Sequence, residues 1–199
     1  MGMPRFTNSD FLAAARSQAW AEGPGTVTVD SVIRRLRAPR GSFYHRYSSR
    51  DVLLGELWLS TILSFQEGFV AAIDSDDGLA AALHTPRWAR ENLEDARLLL
   101  IYSRHDFVEG AWPTALQDGV RAQGERIHAC VNRFAKRTFG GATQAHKRRA
   151  MFVLCELPIA AVKGYLERRE PPPALVDELI SLSYHAIVTA STASTHERE

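Results

Sequence analysis

Apolar side chains in this 199-residue chain recur three and four positions apart, and nowhere do they alternate with polar ones at the period of two that marks a half-buried strand. That spacing restricts the fold to helices. Where it lapses, the residues are those that end helices: EGPG at 22–25, the Gly140-Gly141 pair and the Pro171-Pro172-Pro173 run. A helical chain of this length makes one large domain or two small ones, and its 45% hydrophobic content supplies an ordinary core. It contains no internal repeat, no low-complexity tract and no apolar run approaching the ~20 residues that span a bilayer. The opening MGMPRFTNSD lacks the charged-then-apolar layout of a secretory signal. The expectation is an all-α cytoplasmic protein with no membrane partner.

Caps and breaks divide the chain into about nine helices. The first covers about 7–21, with Thr7, Asn8 and Ser9 as candidate caps. A second starts at Thr28 and carries Val29, Val32, Ile33 and Leu36 on one face. Pro39 fits a first helical turn and opens a third over about 39–47, which Ser48 and Ser49 interrupt. Ser49 then caps a long fourth helix, about 50–74, with Asp51 complementing its positive end. Further helices are predicted over about 77–92, 94–105, 113–139, 143–169 and 173–192.

The net charge of +1 conceals an asymmetry. Through Leu54 there are eight arginines (5, 16, 34, 35, 37, 40, 46, 50) against four acids (Asp10, Glu22, Asp30, Asp51), which leaves +4 there and −3 in the remainder. A basic segment on a mildly acidic body points to a polyanion contact confined to the first quarter. Within it, two short helices joined by a tight turn have the layout of a helix-turn-helix. On the second of them Phe43 and Tyr47, four apart, face inward, leaving Arg40, Ser42, Tyr44, His45 and Arg46 around the other side. Gly41 costs ~1 kcal/mol inside a helix and is tolerable near the first turn where a phosphate or another helix approaches closely.

The run TVDSVIRRLRAPRGSFYHRYSSRDVLL, 28–54, resembles without gaps the DNA-binding signature of the TetR (tetracycline-repressor) family of bacterial transcription regulators, in Thr28, Gly41, Phe43, Tyr44, His45, Tyr47, Arg50 and Leu53. The resemblance covers about 6–54 and implies a helix-turn-helix domain over 1–49 and a ligand-binding and dimerisation domain over 50–199. It implies that Thr28 bonds a phosphate, that Arg40, Gly41, Ser42, Tyr44 and His45 lie at the major groove, and that Arg50 grips phosphate from the usual lysine position. It also implies a pseudo-palindromic operator, a homodimer through the last two long helices and an unknown small-molecule effector. Two positions depart from the family pattern: Leu36-Arg37 replaces its Ala-Gly, and Ile33 its small alanine. A left-handed Arg37 costs ~1 kcal/mol.

In the body, Trp88, Tyr102, Phe107, Trp112 and Phe152 are candidate pocket linings, each with core packing as its competing role. His105 and Glu109 stand four positions apart but lack a third ligand, so no metal is expected, nor any cofactor. Cys130 and Cys155 have no CxxC or His-rich surroundings and read as buried free thiols. No nucleophile motif supports an enzyme. The competing readings are a helical small-molecule-binding protein or enzyme with a vestigial DNA-binding head, and a nonspecific nucleoid-associated protein.

Overall fold

The computed structural model describes residues 6–107 and 112–196. Among them there is no strand, and eleven α-helices follow one another: α1 Asn8–Glu22, α2 Val29–Leu36, α3 Arg40–Tyr44, α4 Arg50–Asp74, α5 Gly78–Glu91, α6 Leu93–Ile101, α7 Arg104–Phe107, α8 Thr114–Phe139, α9 Gln144–Met151, α10 Leu157–Glu167 and α11 Ala174–His196. A 3-10 turn, Pro24–Thr26, separates α1 from α2. Helices α9 and α10 run on through a π-helical turn, Phe152–Glu156, as a single rod.

The expected boundaries hold in α1, α2, α4, α5, α8 and α11 to within a few residues, because local capping sets them. Thr7 and Asp10 close a reciprocal box at the start of α1, and those bonds to Thr7 hold the Asp10 carboxyl below its usual range. Thr28 and Ser31 do the same for α2 at 3.0 and 2.9 Å. Three boundaries differ from expectation. Helix α3 ends at Tyr44 instead of reaching Tyr47, although Tyr47 N–H still bonds the Phe43 carbonyl at 2.9 Å. The single helix expected over 94–105 is two, because Ser103 and Asp106 form a new cap that starts α7. The π turn, too, was not expected. It precedes Pro158, which cannot donate and whose ring crowds the carbonyl four residues back, so an extra residue in the turn relieves the clash.

Two compact units emerge. The first joins the residues up to Ile62 with Glu94–Arg121; the second joins Leu63–Leu93 with the residues from Ala122 onward. The first unit's core is aromatic at its head: Phe11, Phe43 and Tyr47 are fully buried, with Phe11 edge-on to Phe43 at 5.8 Å and to Tyr47 at 6.1 Å. Leu53, Leu54, Leu57, Leu98, Phe107, Trp112 and Leu116 extend it. Buried Arg97 lies between Trp20 and Tyr102, its guanidinium 5.5 and 5.3 Å from the two rings, and Arg16 pairs with Asp95 at 2.7 Å.

In the second unit, α5 packs against α10 and α11. Gly78, at the start of α5, lies so close to the Phe134 ring and the Tyr184 hydroxyl that a Cβ there would overlap both. Arg90 grips Asp177 of α11 with two bonds, at 3.0 and 2.7 Å. His84 Nε2 donates to the Phe65 carbonyl at 2.6 Å, and burial holds the His84 pKa below its usual value. Cys130 is buried as expected, whereas Cys155 is only half-buried, its thiol pushed up to about 12 by desolvation and then by Glu156.

Candidate nucleic-acid interface

The helix-turn-helix is built from α2, a three-residue turn and α3. Arg37 caps α2 in the left-handed conformation, φ 51° and ψ 38°, and its N–H bonds the Arg34 carbonyl at 3.2 Å. Glycine adopts this geometry freely; arginine does so at a cost of about 1 kcal/mol. Ala38 N–H then bonds the Ile33 carbonyl at 2.9 Å, and extended Pro39 hands the chain to α3. The turn therefore takes the conformation that a glycine would give it.

With Phe43 and Tyr47 committed to the core, the rest of α3 faces outward. Arg40, Gly41, Tyr44 and His45 are exposed and Ser42 half-buried. Tyr44, although aromatic, is 49% exposed, while its neighbour Phe43 is fully buried. The Arg40 guanidinium lies 5.8 Å from the Tyr44 ring centre and 2.8 Å from Asp30 on α2, which braces both side chains on the open face. Desolvation pushes the Tyr47 hydroxyl up to about 12, so it stays neutral in the core and donates to the Asn8 carbonyl at 3.3 Å. A Cβ on Gly41 would meet nothing within 4 Å. Nothing inside the described molecule requires a glycine there, so the bare backbone faces outward onto open space.

Two cations bond backbone carbonyls. Arg46, expected on the outward side, folds back: it bonds the Ser42 carbonyl at 3.1 Å, the Phe6 carbonyl, and lies over the Phe11 ring at 5.8 Å. Its long stem covers the apolar core better than it would serve in water. Arg50 at the head of α4 is half-buried, and donates to the carbonyls of Val27 at 2.5 Å, Pro24 at 3.0 Å and Gly25 at 3.4 Å, with Asp51 at 3.0 Å. These bonds hold the turn before α2 and so position exposed Thr28. Sequence spacing carries no sign of this clasp, because its acceptors are backbone carbonyls.

The aromatic residues expected to line a ligand pocket are divided between the two units. Tyr102, Phe107 and Trp112 belong to the first unit, Trp88 and Phe152 to the second. Phe107, Trp112 and Trp88 are buried core residues; Trp112 stands edge-on to Trp58 at 5.4 Å, and Trp88 to Phe65 at 5.2 Å. Phe152 is 40% exposed in the π turn. Among the described residues no three His, Cys, Asp or Glu side chains cluster as metal ligands, and Glu109 lies outside them. No helix among them is long and apolar enough to cross a membrane.

Comparison with known proteins agrees with this geometry. Residues 11–57 match the model for bacterial regulatory proteins of the tetR family. Two solved structures have a similar fold, both from proteins assigned to that family of transcription regulators. One, from Shewanella sp. PV-4, is 17% identical with a TM-score of 0.60 and covers 95% of each chain. The other, from Mesorhizobium loti MAFF303099, is also 17% identical at a TM-score of 0.60, covering 94% of this chain and 95% of its own. No curated protein sequence matches the chain. Residues 11–57 thus carry the helix-turn-helix signature of the tetR family of bacterial regulatory proteins, on a chain whose all-helical fold is similar to those two solved structures.

Proposed function

We propose that this regulator is a ligand-released, homodimeric repressor acting in the cytoplasm. The observation that carries the DNA-reading role is the division of α3 into a core face, Phe43 with Tyr47, and an open face of Arg40, Gly41, Ser42, Tyr44 and His45. On this reading the open face enters the major groove, with Tyr44 and His45 at base edges and Arg40 at backbone or base. Thr28, its oxygen already capping α2, offers its hydroxyl hydrogen to a phosphate, and Arg50 holds that approach in place while its charge attracts the strand.

The dimer reading is supported by α11, where Leu175, Leu179 and Leu182 lie on one stripe at 55, 53 and 69% exposure. A second copy covering that stripe gives a two-fold pair of heads, matched to half-sites about one helical turn (~34 to 36 Å) apart on a pseudo-palindromic operator. An effector that prefers a different separation of the heads lowers operator affinity by its differential binding energy, on the order of 1 to 3 kcal/mol.

The test is selection of genomic fragments on the purified protein, followed by binding to the enriched duplex and a scrambled one. A specific regulator prefers the enriched duplex by a factor of about 1000 or more. Equal affinity for both would instead favour a nonspecific DNA-coating protein.

A further inference from the structure

Between Glu125 and Glu156 the chain carries seven lysines and arginines and no carboxylate. Three of those cations find acids from outside the stretch or at its edge: Arg133 with Asp74, Arg137 with Asp76, and Arg148 with Glu156. Half-buried Lys147 has no carboxylate partner among the described residues. Lys147 lines a cavity of about 340 Å³ within the second unit, between α8 and α9. Around the same cavity stand His128 and Asn132 from α8 and Gln144 from α9, each able to donate, with Arg148, whose guanidinium is already paired with Glu156, and an apolar surface of Val131 and Met151. No carboxylate lines it.

We propose that this cavity binds a small organic anion, a carboxylate carried on an apolar body. A lysine with no carboxylate partner gains from an anion brought to it, and charge-assisted bonds are about twice as strong as neutral ones. Asn132 and Gln144 supply neutral donors for the second carboxylate oxygen. Val131 and Met151 have nothing to offer a bare inorganic ion, but they bury a hydrocarbon chain. The volume lies at the lower end of the ~300 to 1000 Å³ typical of small-molecule sites, which limits the ligand to a compact acid. A nucleic-acid backbone is convex and wholly polar along its phosphates, and fits a concave site with an apolar floor poorly.

This deepens the effector reading above and rests on it only for regulatory meaning, since binding is measured without DNA. Its failure leaves the operator test untouched. The experiment is calorimetry of the full chain with octanoate as probe, beside octan-1-ol and inorganic phosphate. Octanoate is expected to bind once per chain, about tenfold or more tighter than either comparison compound. Lys147→Met is expected to weaken octanoate about tenfold, Lys147→Arg to retain most of the affinity, and Arg126→Ala, outside the cavity, to leave it unchanged. Thermal melting of each variant separates loss of site from loss of fold. The proposal is overturned if octanoate does not bind, if phosphate binds as well as octanoate, if folded Lys147→Met binds octanoate like the wild type, or if random duplex DNA displaces the bound octanoate.

Discussion

Two residues of the helix-turn-helix are of a type that their backbone conformation does not favour, and in each case the tension separates folding from function. Arg37 occupies a left-handed position, so Arg37→Gly is expected to raise unfolding free energy by about 1 kcal/mol in urea titration; a loss of stability would show that the guanidinium holds the turn. Gly41 sits in α3 with open space where a Cβ would go. Gly41→Ala is therefore expected to stabilise the head by up to about 1 kcal/mol while weakening operator binding, and an alanine variant that binds normally would remove the close-approach reading. Arg50→Ala is expected to weaken binding to all DNA, with the log-log salt slope reduced by about 1; an unchanged slope would confine Arg50 to clasping the turn at Pro24 and Val27. At this scale the sequence was legible wherever one residue type answers a local demand, as Thr28 does at its cap. It was silent on Arg46 and Arg50, whose partners are carbonyls up to 40 positions away and carry no side-chain signature.

Elements were readable to the extent that their ends are local. Helix α4 runs from Arg50 to Asp74 as its spacing predicts, and α5 starts after Asp77, whose carboxylate accepts from Ala80 N–H at 2.8 Å. The π turn before Pro158 escaped, because it is a register adjustment inside an unbroken apolar pattern. Helix packing was equally hidden: nothing in the sequence shows that Gly78 admits Phe134 and Tyr184. Gly78→Ala is expected to cost about 1 to 3 kcal/mol through overpacking. His84 gives the second unit a pH dependence. Its folded pKa is depressed, so below the unfolded value of about 6.5 the unfolded chain binds more protons and stability falls as pH is lowered. Urea titrations at pH 7.5 and 5.5 are expected to show a larger loss for the wild type than for His84→Gln; equal losses would mean that His84 protonates without cost.

For the whole molecule, the family resemblance in the first quarter was readable because DNA recognition demands particular side chains at particular turns, whereas the body obeys only the general rule of apolar stripes. That is why the aromatic residues singled out as pocket linings scatter between two units, and why the cavity at Lys147 was not anticipated. The exposed leucine stripe of α11 belongs to this scale as well. Leu179→Glu with Leu182→Glu is expected to yield monomers in analytical ultracentrifugation and to abolish tight operator binding, and an intact dimer would place the contact elsewhere. Operator reading depends on the open face of α3. The direct measurement is the ratio of affinities for the genome-selected operator and a scrambled duplex, at one fixed salt concentration, for the wild type and Tyr44→Ala. Because Tyr44 is half exposed, the variant should keep its melting temperature while the ratio falls about tenfold or more. An unaltered ratio in a folded Tyr44→Ala protein would contradict the reading.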